Sequence, residues 1–297
     1  MDVAFLSKLL LPSALFLMML GIGITLQRSD LERLVSQDRK ALLVGLAGQL
    51  LLLPAVGVGV CLLFGLPPLV AAALMIVTLA PGGVTSNMIT LVARGDTALS
   101  VGLTAVGSLI APFTLPLLTG AVLVYTGAGV RLADFPLLPA IIKLAIVTLL
   151  PVMLGIWLRS RFPRRCERLY PWVKAVAVFG FLAMVAVVVL ANHQRLPGLL
   201  QAYAGVMLVL ALAAMLSGAL LAKLFSLGPA VQLTLAVEVG IQNAGTALMV
   251  TGALLSSPEM SAVVLIYGLV MQLPAALIML ARNLPGSSAR LAEGQQS

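Results

Sequence analysis

Charge is scarce in this sequence. Only 9% of its 297 residues are Asp, Glu, Lys or Arg, and aromatic residues make up 5%. Soluble domains carry about 25% charged residues, so this chain lacks the material for a water-facing shell. Histidine occurs once, at His193, and cysteine twice, at Cys61 and Cys166. That inventory excludes a zinc-type ligand cluster and a disulfide framework. His193 lies in a predicted outer loop, Cys61 reads as apolar filler, and Cys166 reads as a loop thiol. An intramembrane enzyme would need a nucleophile and base pair or a metal cluster within its apolar runs. The one deep acid, Glu238, has no such partner, so an enzyme is not expected.

What the chain does have is apolar length. Hydrophobic residues make up 61% of it, and the mean hydropathy is +1.13. Backbone groups in lipid need internal partners, which leaves helices or a closed barrel. The apolar runs are long and continuous, not short and alternating, which selects helices of roughly 20 residues each. Nine spans are expected, at 5–27, 40–63, 69–93, 97–125, 139–158, 173–191, 200–222, 230–255 and 261–282. The connecting loops are read at 28–40, 65–68, 126–135, 159–168 and 192–198, with a polar tail at 283–297. Residues 1–26 run straight into a full span, so no cleaved leader is expected.

The net charge of +8 belongs to short loops. This is the pattern of the positive-inside rule, not of a nucleic-acid surface. With the N-terminus outside, only Lys8, Arg131, Lys143 and Arg195 of the 18 Lys and Arg residues fall at or near the outer side. The expected topology is therefore N-out and C-in, in the cell inner (plasma) membrane. The chain is read as a single transmembrane domain over 1–297, with halves at about 5–125 and 139–282.

Two spans are interrupted. LAPGGVTSNMITL (79–91) places Pro81-Gly82-Gly83 mid-span, where proline removes a helix hydrogen bond and glycine releases the backbone. LAVEVGIQNAGTAL (235–248) places Glu238, Gly240, Gln242, Asn243, Gly245 and Thr246 in an apolar run. Such breaks in matching places of two halves point to a transporter binding site. They fall in the third and eighth spans, which run in opposite directions, as an inverted repeat requires.

Glu238 leads the candidates, because an acid at a helix centre costs about 2.5–3.5 kcal/mol to insert and marks an ion or proton path. Ser86 and Asn87 follow the first break, and Ser100 and Thr104 share one face of the next span. With Glu238 these make an all-oxygen cage suited to a hard cation. Gln49 joins them if the second span packs against the eighth. Thr85, Asn87, Asn243 and Gly245 lie at or near helix restarts, whose free N–H groups attract an anion. Gln272 is placed to reach the same cavity or to tie helices together. Asp96 reads as an N-cap.

At these residues the sequence resembles the bile acid:sodium symporter family. The resemblance runs through LGIGITLQRSDLERL (20–34), GQLLLLP (48–54), LAPGGVTSNMITLVARGDTALSVGLT (79–104) and EVGIQNAG (238–245). It implies an all-α membrane fold with two crossed discontinuous helices in a core domain, and a panel domain that moves against it. It also implies two sodium ions. One would be held by Ser86, Asn87, Ser100, Thr104 and Glu238. The other would be held by Gln49, Glu238, Gln242 and the backbone carbonyls of Val239 and Ile241. Asn243 is the leading substrate-side residue. Val84 stands where relatives often carry Thr, with Thr85 next to it. The nine spans match the form that lacks the first helix of ten-span members.

The expected function is sodium-coupled symport of an organic anion, of the bile acid, pantoate or keto acid class, by alternating access. A proton-coupled carrier or exporter on the same scaffold is the alternative. The expected partners are the anion, sodium and the lipid bilayer; nucleic acid is not expected, and no oligomer is required.

Overall fold

A computed structural model describes residues 3–26, 32–33, 36, 38–128 and 135–283. The expected loops at 28–40 and 126–135 fall partly outside these residues, and the tail beyond Asn283 falls wholly outside them. Among the described residues the chain is helical, with one isolated antiparallel β-bridge. In order, the helices are α1 (Val3–Thr25), α2 (Arg39–Leu63), α3 (Pro68–Thr78), α4 (Val84–Val92), α5 (Thr97–Thr126) and α6 (Leu137–Arg161). They continue with α7 (Pro163–Asn192), α8 (Leu196–Leu224), α9 (Pro229–Gly240), α10 (Ala244–Leu254) and α11 (Pro258–Asn283). Six of these, α2, α5, α6, α7, α8 and α11, are long and apolar enough to cross a membrane. Leu11–Thr25 of α1, α3 and α10 are shorter apolar helices. The protein is therefore a multi-pass helical membrane protein.

Proline shapes several of these helices. In α2 and α6 a π-helical turn, Gly48–Leu52 and Ala145–Leu149, ends just before Pro54 and Pro151. Proline has no N–H, and its ring crowds the carbonyl one turn back. A widened turn relieves both and rotates the residues within it. In α2 the residue so placed is Gln49, which is 3% exposed. Proline also opens α3, α7, α9 and α11 in their first turns, where its missing N–H costs no helix bond.

α1 lies along α6 and α7, while α8 packs along α9 and α2. The α1–α6 contact is backbone to backbone. A Cβ on Gly23 would stand 2.9 Å from Gly155 Cα, and one on Gly155 would stand 2.8 Å from Gly23 Cα. Small residues at such a crossing let two membrane helices approach, because lipid offers no hydrophobic drive to hold them together.

The structure corrects three boundary readings. Residues 159–168 are not a loop: α6 runs to Arg161, Phe162 alone leaves the helix, and Pro163 opens α7. The basic run is helical because its charges are spread over the kink. Arg159 pairs with Glu167 at 3.1 Å, and Arg161 and Arg165 stand over the Phe162 ring. Cys166 is accordingly a buried helix residue, not a loop thiol, and both cysteines are free. Residues 192–198 shrink to a short turn before α8. Asn283 ends α11, donating to Met279 O at 2.8 Å and Val92 O at 3.1 Å,.

Replacing Gly23 by Val should overpack the α1–α6 contact and cost about 1–3 kcal/mol. A Cβ at Gly59 meets nothing within 4 Å, so Gly59→Ala should leave stability unchanged or slightly raised. Thermal unfolding of the two purified variants beside the parent checks both.

Candidate functional site at the crossing of two broken helices

The apolar segments at 69–93 and 230–255 break where proline, glycine and polar residues cluster. α3 stops at Thr78 and α4 restarts at Val84; α9 stops at Gly240 and α10 restarts at Ala244. The two breaks meet. Gly82 and Gln242 form the antiparallel β-bridge, and the Asn243 N–H donates to Pro81 O at 2.8 Å. The unwound segments thus satisfy each other's backbone groups, which lipid cannot do. Each restart is capped. Ser86 Oγ accepts from the Gly83 N–H at 3.3 Å and donates to Gly83 O at 2.7 Å, and Asn243 Oδ1 accepts from the Thr246 N–H at 3.0 Å.

Glu238 lies one turn before the second break and is 0% exposed. Ser100 Oγ contacts its Oε1. Thr104 Oγ1 approaches Oε2 at 3.2 Å, and Gln49 Nε2 donates to Oε2 at 3.3 Å. The same two hydroxyls reach Asn87 Oδ1, Ser100 at 2.8 Å and Thr104 at 3.3 Å. Each hydroxyl has one proton to give, so two protons face four oxygen contacts. The cluster holds more lone pairs than hydrogens, which is the donor set of a hard cation.

The register that creates this cluster is set one turn away. The Asp96 N–H donates to Thr234 Oγ1 at 2.8 Å, and Asp96 Oδ1 caps α5 by accepting from the Leu99 N–H at 3.0 Å. Adding four residues to each partner of the Asp96–Thr234 contact gives Ser100 and Glu238. The expected N-cap therefore also aligns α5 with α9.

A second group of oxygens lies on the other side of Glu238. Its backbone carbonyl, released where α9 ends, accepts from Gln49 Nε2 at 3.1 Å and Gln242 Nε2 at 3.1 Å. Gln242 Nε2 also donates to Val239 O at 2.8 Å. Both amide nitrogens are turned toward carbonyls, so both amide oxygens are turned away. Gln49 Oε1 and Gln242 Oε1 are buried without a hydrogen-bond partner. A buried unpaired acceptor costs about 1–3 kcal/mol, and a cation would remove that cost. Ile241, in extended backbone within the break, is fully buried beside them. Among the described residues no cluster of three His, Cys, Asp or Glu exists, so the oxygens here are not those of a multi-carboxylate or histidine metal site.

Thr85, Asn243, Gly245 and Gln272 all line one cavity of about 740 Å³. Asn87 and Gln242 line it too, and these two join the cavity to the oxygen clusters. Asn243 Nδ2 is buried and has no partner. Gln272 is the least committed of the four, donating to Gly268 O of its own helix at 3.3 Å. The cavity wall also contains Tyr170 and Lys174 of α7. Sequence reasoning counted Lys174 only as a topology charge. It placed the start of the sixth span near 173, whereas α7 begins ten residues earlier and carries Lys174 well inside the helix.

Comparison with known proteins identifies the family. Residues 12–199 match the model of the Sodium Bile acid symporter family. The sodium-dependent transporter YocS of Bacillus subtilis is 30% identical over 273 residues, covering 91% of this chain and 78% of that protein. The probable sodium/metabolite cotransporter BASS1 of Arabidopsis thaliana is 32% identical over 228 residues, 76% of this chain. The human sodium/bile acid cotransporter 4 is 31% identical over 238 residues, 78% of this chain. The chain spans about half the length of these plant and human relatives, 54% and 53% respectively.

Gly82 has no room for a side chain. A Cβ there would collide with Glu238 Oε2 and stand 3.1 Å from both Gln49 Nε2 and Thr104 Oγ1. At Gly83 the nearest atoms lie at 3.5 Å, an ordinary contact. Gly82→Ala should therefore destabilise the protein by about 1–3 kcal/mol, and Gly83→Ala should be near neutral. Thermal unfolding of the pair distinguishes a built oxygen cluster from a merely flexible break.

Proposed function

We infer from one premise, that this chain belongs to the sodium bile acid symporter family, that it is a secondary active transporter coupling sodium entry to uptake of an organic anion. The observation that carries this reading is the surplus of oxygens over protons around the buried Glu238 carboxyl, beside a cavity that ends on helix restarts. Sodium supplies the missing positive charge in the cluster. One ion sits among Ser86, Asn87, Ser100, Thr104 and Glu238. A second sits among Gln49, Gln242, Glu238 and the carbonyls of Val239 and Ile241, where it satisfies the two unpaired amide oxygens. Either ion braces the crossed breaks and so holds Thr85, Asn243 and Gly245 in place for the anion.

In this reading the chain is a single transmembrane domain with nine spans. α3–α4 and α9–α10 each count as one discontinuous span, and spans two to four repeat as spans seven to nine with inverted topology. α1, α6 and α7 form the panel and the other helices form the core. With the N-terminus outside and the C-terminus in the cytoplasm, the cavity wall runs from the crossing toward the cytoplasmic ends of α1, α4, α5, α7 and α11, so this is an inward-facing state. Alternating access is the panel moving past the core. The membrane is the cell inner (plasma) membrane, and one chain suffices.

A proton-coupled carrier is the second reading. It is favoured by the same shortage of hydrogens, which a proton on Glu238 would relieve as a cation does. Uptake into vesicles under an imposed sodium gradient and, separately, an imposed proton gradient discriminates the two. Sodium alone should drive uptake.

Two variant results test the ion sites. Glu238→Ala should reduce sodium-driven uptake to the level of protein-free vesicles, and retained sodium dependence would overturn the assignment. Replacing both Gln49 and Gln242 by Leu removes the two amide oxygens of the second set and leaves every oxygen of the first in place. The Hill coefficient for sodium should then fall from about two toward one, as read from uptake against sodium concentration.

A further inference from the structure

The cavity has a polar pole at each end and an apolar middle. The inner pole is Asn243, whose Nδ2 is buried and unpartnered. The outer pole is Lys174, the only charged side chain lining the cavity among the described residues. Leu17, Ile22 and Phe181 are among the apolar residues of the wall.

Lys174 is exposed at the mouth of the cavity. Its Nζ meets Met88 Sδ of α4 at 3.7 Å, so the contact joins α7 to one of the broken helices. Among the described residues it has no carboxylate partner. A thioether is a weak acceptor for an ammonium that carries three donors. Tyr170 lies one turn earlier on the same helix face and also lines the cavity, which adds a hydroxyl beside the charge.

We propose that Lys174 binds a second acidic group on the cargo. The preferred ligand is then a two-ended molecule, with an acceptor group at Asn243, an apolar chain between, and an oxyanion at Lys174. This rests on the cavity being the substrate site, as read above. The sign of the expected preference is diagnostic. In a purely apolar cavity, changing a ligand's far methyl group to a carboxylate would weaken binding through desolvation. With Lys174 as a pole, the same change strengthens it.

The test uses two probes of equal length, octanoate and octanedioate, titrated against the full-length purified protein in sodium buffer with thermal stability as the readout. The parent protein should bind octanedioate about tenfold more tightly than octanoate, the scale of one charge-assisted hydrogen bond. Lys174→Gln should abolish that preference, and Lys174→Arg should keep it. Octanoate binding equally or more tightly in the parent overturns the proposal, as does an unchanged preference in Lys174→Gln or the failure of both probes to bind. A separate arm compares sodium chloride with choline chloride and no probe. Loss of the sodium-induced shift there would defeat the ion-site reading itself, whereas an intact sodium shift with no diacid preference defeats only the role of Lys174.

Discussion

One buried carboxyl organises this protein. Glu238 sits in the interior of a bundle whose outer face meets lipid, and the polar groups around it are brought there from several elements. Gln49 comes from α2, Asn87 from α4, Ser100 and Thr104 from α5, and Gln242 from the break that ends α9. An isolated acid at this depth would be costly enough to oppose insertion. Five polar side chains on four neighbouring elements are the compensation, and they leave an excess of acceptors that suits a positive ion.

The broken helices follow from the same constraint. A continuous helix spends its carbonyls and N–H groups on itself and has none to offer a ligand. Interrupting α3–α4 and α9–α10 releases both kinds at the same depth. The released carbonyl of Glu238 turns toward Gln49 and Gln242, and the restart at Asn243 turns toward the cavity. Pairing Gly82 with Gln242 lets the two interruptions coexist, because each unwound strand covers the other's backbone. Gly82 must lack a side chain for that approach, since the space its Cβ would take is already filled by the carboxylate. In the proposed function, cation ligands and anion contacts come from this one geometric device, with no dedicated domain for either.

The remaining helices set the frame around that device. The Asp96–Thr234 contact aligns α5 with α9 so that Ser100 faces Glu238, and the π turn before Pro54 accompanies the inward placement of Gln49. α1, α6 and α7 pack together through close glycine contacts. α1 also packs directly on the second broken helix, α10, with Leu11 against Gly252, while Lys174 of α7 meets Met88 of the first across the cavity.

Much of this was legible in the residues. The helical membrane class follows from the length of the apolar runs, because lipid allows the backbone few alternatives. The positions of both breaks follow from Pro81-Gly82-Gly83 and from the polar run after Glu238, since those residues cannot continue an apolar helix without penalty. That Ser100 and Thr104 act together follows from helical periodicity. Other features were settled only by tertiary contact. No local signal says that the Gln49 amide meets Glu238, because the two are far apart in sequence and a lone glutamine in a span serves equally well as glue. The π turn that helps place it arises from a proline several residues on. The helical character of 159–168 was hidden because a dense run of arginines reads as a loop until Glu167 and Phe162 are seen to hold it. Lys174 shows the limit most clearly. Its charge and position are plain in the sequence, but whether that lysine faces headgroups or a cavity depends on which helix lies opposite, and only the packed bundle decides that.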